Sequence, residues 1–486
     1  MIKFADWLPD QAAYENPGST VASNVVPTAK GFRPFRGLAP LSGAATAYLR
    51  GIHATRDSSD NVSVFAGDAT KLYKMNNGTF ALADISAGGG YSLSANEQWD
   101  FVEFGTDIIA AGDRGIALQK FAVGASAFAA VSGAPGARHL AVVKDFVVTG
   151  NIEYGGSTYR NSVRWSQIND ANTWTIGTNQ ADVQAIADAG AITGLVGGET
   201  GVVLLEKAIV RMQYVGSPLI FNFEKVETGH GCNYPNSVAS LGPNQVFYLS
   251  DRGFQMFDGQ RSVPIGSEKV DRFLFGDMKD AFRDRLSCAI DPENSIVCWS
   301  YASIASTGAP DKLMVYNYAL GKWSLISLAH EGLGTIYLPG QTLESLDNIS
   351  TSIDTLGTSL DDRAFVGGNF QLAASKDNKI HTVSGEALDA ILETTEFEPA
   401  KMRQSMIKSV TPYVTAQDGN PTVSAQIGSR VNQQASVTFS TASSINAANF
   451  APTRATGRYH RVRLNISGEW RFAQGVDVET TAMGRR

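Results

Sequence analysis

Residues Gln245 to Gly266 read Q-V-F-Y-L-S-D-R-G-F-Q-M-F-D-G-Q-R-S-V-P-I-G. The stretch predicts two short apolar strands, Val246–Ser250 and Phe254–Phe257, joined by the polar turn Asp251-Arg252-Gly253. A second turn, Asp258-Gly259-Gln260, closes the unit. A lone hairpin buries too little to persist in water, so it needs neighbours of its own kind.

The chain supplies them. The same phrase, an apolar run, a small or polar stop and a second apolar run, begins near residues 64, 109, 147, 203, 247, 296 and 371. The gaps are 45, 38, 56, 44, 49 and 75 residues. Repeats of roughly 40–50 residues, each holding several strands, are the size of propeller blades. A sandwich with coincidental hairpins is the competing reading, but sandwich strands return every ~8–12 residues without a longer period. The expected fold is therefore all-β: a β-propeller of about seven blades, followed by a small antiparallel β-sandwich.

Three regions follow. Residues 1–45 carry Pro9, Pro17, Pro27, Pro34 and Pro40, which exclude a helix and confine strands to edges. This N-terminal extended arm either wraps its own domain or reaches a neighbour. Residues 46–385 hold the blades, with short helical turns at Val270–Phe282 and a partly helical insertion at 341–362, where Leu343, Leu346, Ile349 and Ile353 recur at helical spacing. From 386 to 486 the pattern becomes plain alternation, as in Val423–Ile427 and Arg461–Ile466, and reads as the sandwich.

Composition agrees. The 486 residues include 48 glycines and only 18% charged residues, a turn-rich texture that fits many short strands. No apolar run approaches the ~20 residues of a membrane span. The N-terminus lacks an export signal, so the expectation is a soluble protein made in a cytoplasm. Three cysteines do not make a disulfide scaffold. A hairpin centred on Glu293 would set Cys288 opposite Cys298, close enough to bridge, although two buried thiols fit a reducing compartment better.

Chemistry-bearing motifs are sparse. Gly197-Gly-Glu-Thr-Gly201 lacks the Lys and helix of a phosphate loop. The six histidines are scattered without metal-ligand spacing, and Asp57–Asn61 lacks the Gly and distal Glu of a calcium loop. Asp170-Ala-Asn-Thr-Trp174 resembles an Asp-box turn but lacks its Gly, and its Trp is one place early. Asp361-Asp362 serves glycoside hydrolysis only if a partner carboxylate faces it. No catalytic, cofactor or metal site is expected. Residues 450–486 carry seven Arg against Glu469, Asp477 and Glu479, and subtracting that +4 from the total of −7 leaves −11 elsewhere. Such a balance gives no broad footprint for phosphates. In the strand Arg458–Ser467, alternation points Val462, Leu464 and Ile466 inward. Tyr459, Arg461, Arg463 and Asn465 share the other face, a stripe that suits a subunit or partner interface. Arg461→Glu with Arg463→Glu should then leave the monomer folded.

Several segments resemble the tail-nozzle (tail hub, packaged-DNA stabilisation) proteins of short-tailed bacteriophages. They are Ala5–Asp10, Val163–Trp174, Gly194–Gly201, Phe247–Phe254 continuing to Ile265–Asp271, Ser359–Arg363, Gly457–Leu464 and Ala473–Val478. The resemblance implies a structural protein of the virion tail, assembled in the host cytoplasm. It implies a homo-oligomer, a hexameric ring, that extends the double-stranded DNA channel without binding DNA specifically. It would meet a tail adaptor ring and anchor fibres or spikes. A carbohydrate-binding or glycan-cleaving propeller acting in receptor recognition is the alternative.

Overall fold

The computed structural model describes residues 1–57, 61–338, 370–416 and 421–484. The expected insertion at 341–362, the Asp361-Asp362 pair and the Ser359–Arg363 phrase lie outside these residues. Within them the chain is a β-propeller. Seven groups of four strands pair antiparallel, six of them in simple sequence order.

Blade 1 runs from Ile52 to Asp84, blade 2 from Asp100 to Ala130 and blade 3 from Gly136 to Ala185. Blade 4 spans Ile192–Thr228, blade 5 Ala239–Pro264 and blade 6 Ser287–Ser327. Blade 7 takes three strands, Gly332–Tyr337, Phe370–Lys376 and Lys379–Thr382, and borrows its fourth, Ala39–Pro40, from the N-terminal arm. All seven repeat starts read from the sequence fall in the second strand of a blade, from Val62–Gly67 to Phe370–Lys376. Those strands are buried on both faces, so their apolar runs are continuous and easy to recognise.

The opening stretch shows how one blade is fixed to the next. Val246–Ser250 and Gly253–Phe257 pair through Ser250 and Gly253, leaving Asp251-Arg252 as the turn. Gly253 has φ +109°, and a Cβ there would run into the Asp271 carboxylate, so only glycine fits. Phe254 packs on Trp299 and Trp323 of blade 6, with ring centroids 4.6 and 4.7 Å away. All three rings are fully buried. Burial of each is worth about 1.5–3 kcal/mol, which stabilises a hairpin that is marginal alone. The helical turns expected after blade 5 are a short helix, Asp271–Asp277, and a 3-10 segment, Asp280–Arg285.

The cysteine pairing is corrected. Asp291 pairs with Ile296, so Ala289, not Cys288, faces Cys298, and Cys288 faces Trp299. Asp291 accepts the Asn294 backbone N–H (3.0 Å) and its side-chain amide (2.6 Å), and Ser295 adopts φ +55°. The turn therefore has four residues and its centre lies half a residue beyond Glu293. A one-residue slip puts the two thiols on opposite faces. All three cysteines are free.

The N-terminal arm wraps its own chain. Val25–Thr28, Gly31–Pro34, Trp470–Ala482, Ser405–Ala416 and Ala451–Gly457 form one sheet in that order, and Ile2–Lys3 also pairs with Trp470–Ala482. Val21–Ser23 runs parallel to the last strand of blade 6 and antiparallel to Ala390–Glu393. It thereby joins blade 6 to Tyr459–Ser467, Thr422–Arg430 and Thr438–Phe439 in one ten-stranded sheet. Pro27 and Pro40 occupy edge strands, as the missing N–H requires. The two C-terminal sheets share an apolar cluster that includes Phe32, Ile407, Leu464 and Trp470 and continues into Trp299 and Trp323. The expected sandwich at 386–486 is thus no separate unit, because strands from the arm enter both layers.

Candidate functional site

The propeller axis is the first place to seek a site. First strands of most successive blades lie side by side around it, and each has an inner edge whose backbone groups need partners. Polar side chains supply them. Asp100 Oδ2 accepts the Leu140 N–H at 2.8 Å, Ser287 Oγ accepts the Leu333 N–H at 3.0 Å, and Gln98 Nε2 donates to the Leu286 carbonyl at 3.2 Å. Arg138 pairs with Glu97 at 2.6 Å. The remaining cavity is about 210 Å³, room for a handful of waters at roughly 30 Å³ each. No strand of nucleic acid passes there.

Burial sets the charge states along this axis. It raises the Asp100 carboxyl to about 6, and lowers the His139 imidazole to about 3 and His53 to about 4. His139 Nε2 is buried without a partner. Other histidines sit in local hydrogen bonds. His330 meets Ser300 Oγ at 2.6 Å, and His460 bridges Ser405 and Ser429 at 2.9 Å each. Among the described residues no group of three or more His, Cys, Asp or Glu is placed to hold a metal ion. The Asp170 turn is structural: its carboxylate accepts the Asn172 N–H (2.8 Å) and the Thr173 hydroxyl (2.7 Å), seating Trp174 in the core.

The Arg458–Ser467 stripe is placed differently from expectation. Val462, Leu464 and Ile466 are buried as alternation requires. On the other face, however, Arg461 Nη1 and Arg463 Nη2 each lie 2.8 Å from the carboxylate of Glu393, which is only 1% exposed. Arg463 also sits 3.8 Å above the Phe439 ring. Asn465 reaches toward Ser424 and Gln426, and Tyr459 meets Tyr14 of the arm edge-on, with centroids 5.2 Å apart. The acid that pairs with these arginines belongs to this chain, so the double reversal to Glu would attack the fold itself. Glu393 was missed because it lies 70 residues from Arg463. Its one sequence signal is a carboxylate ending the apolar run Ala390-Ile-Leu-Glu393.

A second recess lies between the propeller and the C-terminal sheets. This cleft, about 540 Å³, is bounded by Arg33–Arg36 of the arm, the Asp291–Ile296 turn of blade 6, Phe370–Leu372 of blade 7 and Trp470–Phe472. Arg33 donates to the neutral Asn294 at 2.6 Å and Arg36 pairs with Glu469 at 3.0 Å, while Arg471 is exposed at the rim. Burial holds the Arg33 guanidinium below its ordinary value.

No family model and no curated protein matches the chain. Similar solved structures include the extracellular domain of a hybrid two-component system from B. thetaiotaomicron (11% identity, TM-score 0.41, covering 82% of this chain and 44% of that one). A quinonprotein alcohol dehydrogenase-like protein from Bacteroides thetaiotaomicron has 12% identity and TM-score 0.34 over 57% and 66% of the two chains. Dihydro-heme d1 dehydrogenase NirN has 10% identity and TM-score 0.35 over 92% and 80%. The chain spans less than half the length of the first of these. At such scores the propeller assignment rests on the sheet topology given above. No helix among the described residues is long and apolar enough to cross a membrane.

Proposed function

We propose that this chain is a structural subunit of a short-tailed phage tail, a nozzle or hub protein that assembles with copies of itself into a ring, six in number by the resemblance. The observation that carries the reading is that resembling phrases distant in sequence meet in the fold. Ala5–Asp10 docks on Ile265–Asp271: the Asp10 N–H donates to the Lys269 carbonyl at 3.2 Å. The Asp10 carboxylate accepts the Arg272 and Phe273 N–H groups, each at 2.8 Å, at the start of the short helix. A likeness concentrated at such a junction supports shared architecture rather than shared turns.

The closed propeller axis adds a condition. A DNA channel in this reading lies between copies, and the acidic excess keeps its wall from binding phosphates. The adaptor ring and the fibres or spikes then meet surfaces of the ring. Electron microscopy and native mass spectrometry of the purified chain, alone and with isolated tails, test this. The expected result is a closed ring with an open centre, docked at the tail end. A chain that stays monomeric at high concentration and does not bind tails overturns it.

A further inference from the structure

We infer that a recess in the C-terminal sheets binds a small phosphate monoester, a property beyond the ring reading and independent of it. One wall of the recess is a β-bulge. Strands Ser405–Ala416 and Ala451–Gly457 pair Ile407 with Ala455 and Ser409 with Pro452, so Lys408 alone faces both Thr453 and Arg454. Lys408 and Arg454 are exposed and line the same recess, about 620 Å³ in volume. Neither makes an ion pair or a hydrogen bond among the described residues. Like charges opposed across a strand pair weaken it, so the pair calls for an anion between them. The chain does not bring one: no carboxylate among the described residues lines the recess. Glu479, on the strand at the other side of Ser405–Ala416, is held by Ser409 Oγ at 3.1 Å.

The other wall narrows the class. It is the stretch from Ser440 to Ser443, fixed at both ends because Thr438–Phe439 and Ser443–Ser444 pair with Thr422–Arg430. Ser440 Oγ accepts the Ile427 N–H at 3.0 Å and donates to the Thr441 carbonyl at 3.1 Å. The hydroxyls of Thr441, Ser443 and Thr453 make no hydrogen bond among the described residues. Two cations and three free hydroxyls around one recess are a set of donors for an oxyanion. One carboxylate would answer only one of the cations. A phosphate monoester carries about −1.5 to −2 at pH 7 with three acceptor oxygens, and so answers both. The recess is larger than a phosphate group, and Met406 and Pro452 give the organic body of such a ligand an apolar side.

The test titrates the full chain by calorimetry, at matched ionic strength, with a hexose phosphate, the bare hexose and glutarate. Phosphatidic-acid vesicles and duplex DNA are assayed alongside as other sources of phosphate. The hexose phosphate should bind, and more tightly as pH rises through about 6, where the monoester gains its second charge. The bare hexose should not bind. Lys408→Gln and Arg454→Gln should each weaken binding about tenfold, which is about 1.4 kcal/mol. Without ligand both variants should melt no lower than the parent, because each removes one of two opposed like charges. A silent hexose phosphate, equal binding of glutarate, or binding confined to vesicles or DNA overturns the assignment. So does an affinity unchanged in both variants.

Discussion

The propeller and the two C-terminal sheets are built from strands of similar composition but connected in opposite ways. Blade 4 completes its four strands within Ile192–Thr228, each pairing with the next in sequence. In the C-terminal sheets Thr20 donates to Glu393 at 3.1 Å across 373 residues, and Ile2 pairs with Val476. Local pairing closes short loops and repeats, whereas distant pairing orders a long stretch of chain before any contact forms. The propeller should therefore tolerate local damage blade by blade. The C-terminal sheets depend on a few polar contacts that tie the two ends of the chain together.

The harshest way to break that contrast is Arg461→Glu with Arg463→Glu. It surrounds the buried Glu393 with carboxylates in place of two cations. Removing the partner of a buried charge costs about 3–5 kcal/mol, and reversal costs more. The expected result is loss of the C-terminal sheets before the propeller, seen as a split calorimetric transition and early hydrogen exchange at Ala390–Glu393. A single transition at the parent's temperature would show that the two regions are not unequal.

Next in size is the propeller's own titration. Burial raises Asp100 above the unfolded value of 3.8, to about 6. The native state then holds this proton more tightly, so stability from this group is present at low pH and lost as pH rises from about 4 to about 6. Two pH units correspond to about 3 kcal/mol at most. Asp100→Asn should remove this dependence, so the stability difference between parent and variant should shift in the variant's favour across that window and stay flat above it. His53 and His139 act oppositely, because their depressed values stabilise the native state only above about 6.5. They are common to both proteins and cancel in the difference. Denaturation at several pH values measures it.

Smaller again is Asp10→Ala, which removes the carboxylate that caps the short helix from the far end of the chain. A loss of about 1 kcal/mol is expected, with faster exchange at Arg272 and Phe273 and little change within blades 1–4. The smallest effect is that of oxidation. With Cys288 and Cys298 on opposite faces, mild oxidant should produce no intramolecular bridge, and non-reducing peptide mapping should recover both thiols.

These differences also explain what could be read from the chain. Each blade's second strand announces itself through a continuous apolar run such as Val203-Leu-Leu, and the period follows from the short loops. The inward face of Tyr459–Ser467 is legible for the same reason, because alternation needs only neighbouring residues. What that strand pairs with is not, since Glu393 and Tyr14 are brought in by chain closure and leave no spacing signal. The Cys288 register failed by one residue because a turn centre depends on the Asp291 side chain, which the apolar pattern does not weigh. The axial cavity and the cleft were invisible for a related reason. Each is assembled from single residues of many strands.

The borrowed strand Ala39–Pro40 has a consequence in time. It leaves the ribosome early, yet its partner Lys379–Thr382 follows about 340 residues later. At about 5–20 residues per second, the strand waits roughly 17–70 s before the circle can close. During that interval blades 1–6 can fold, while blade 7 lacks Phe370–Lys376 and Lys379–Thr382 until the last part of the span is made. Newly made chains therefore pass through an open crescent, with the Ile52–Arg56 flank of blade 1 bare, and that crescent is the form a chaperone or a second nascent chain would encounter.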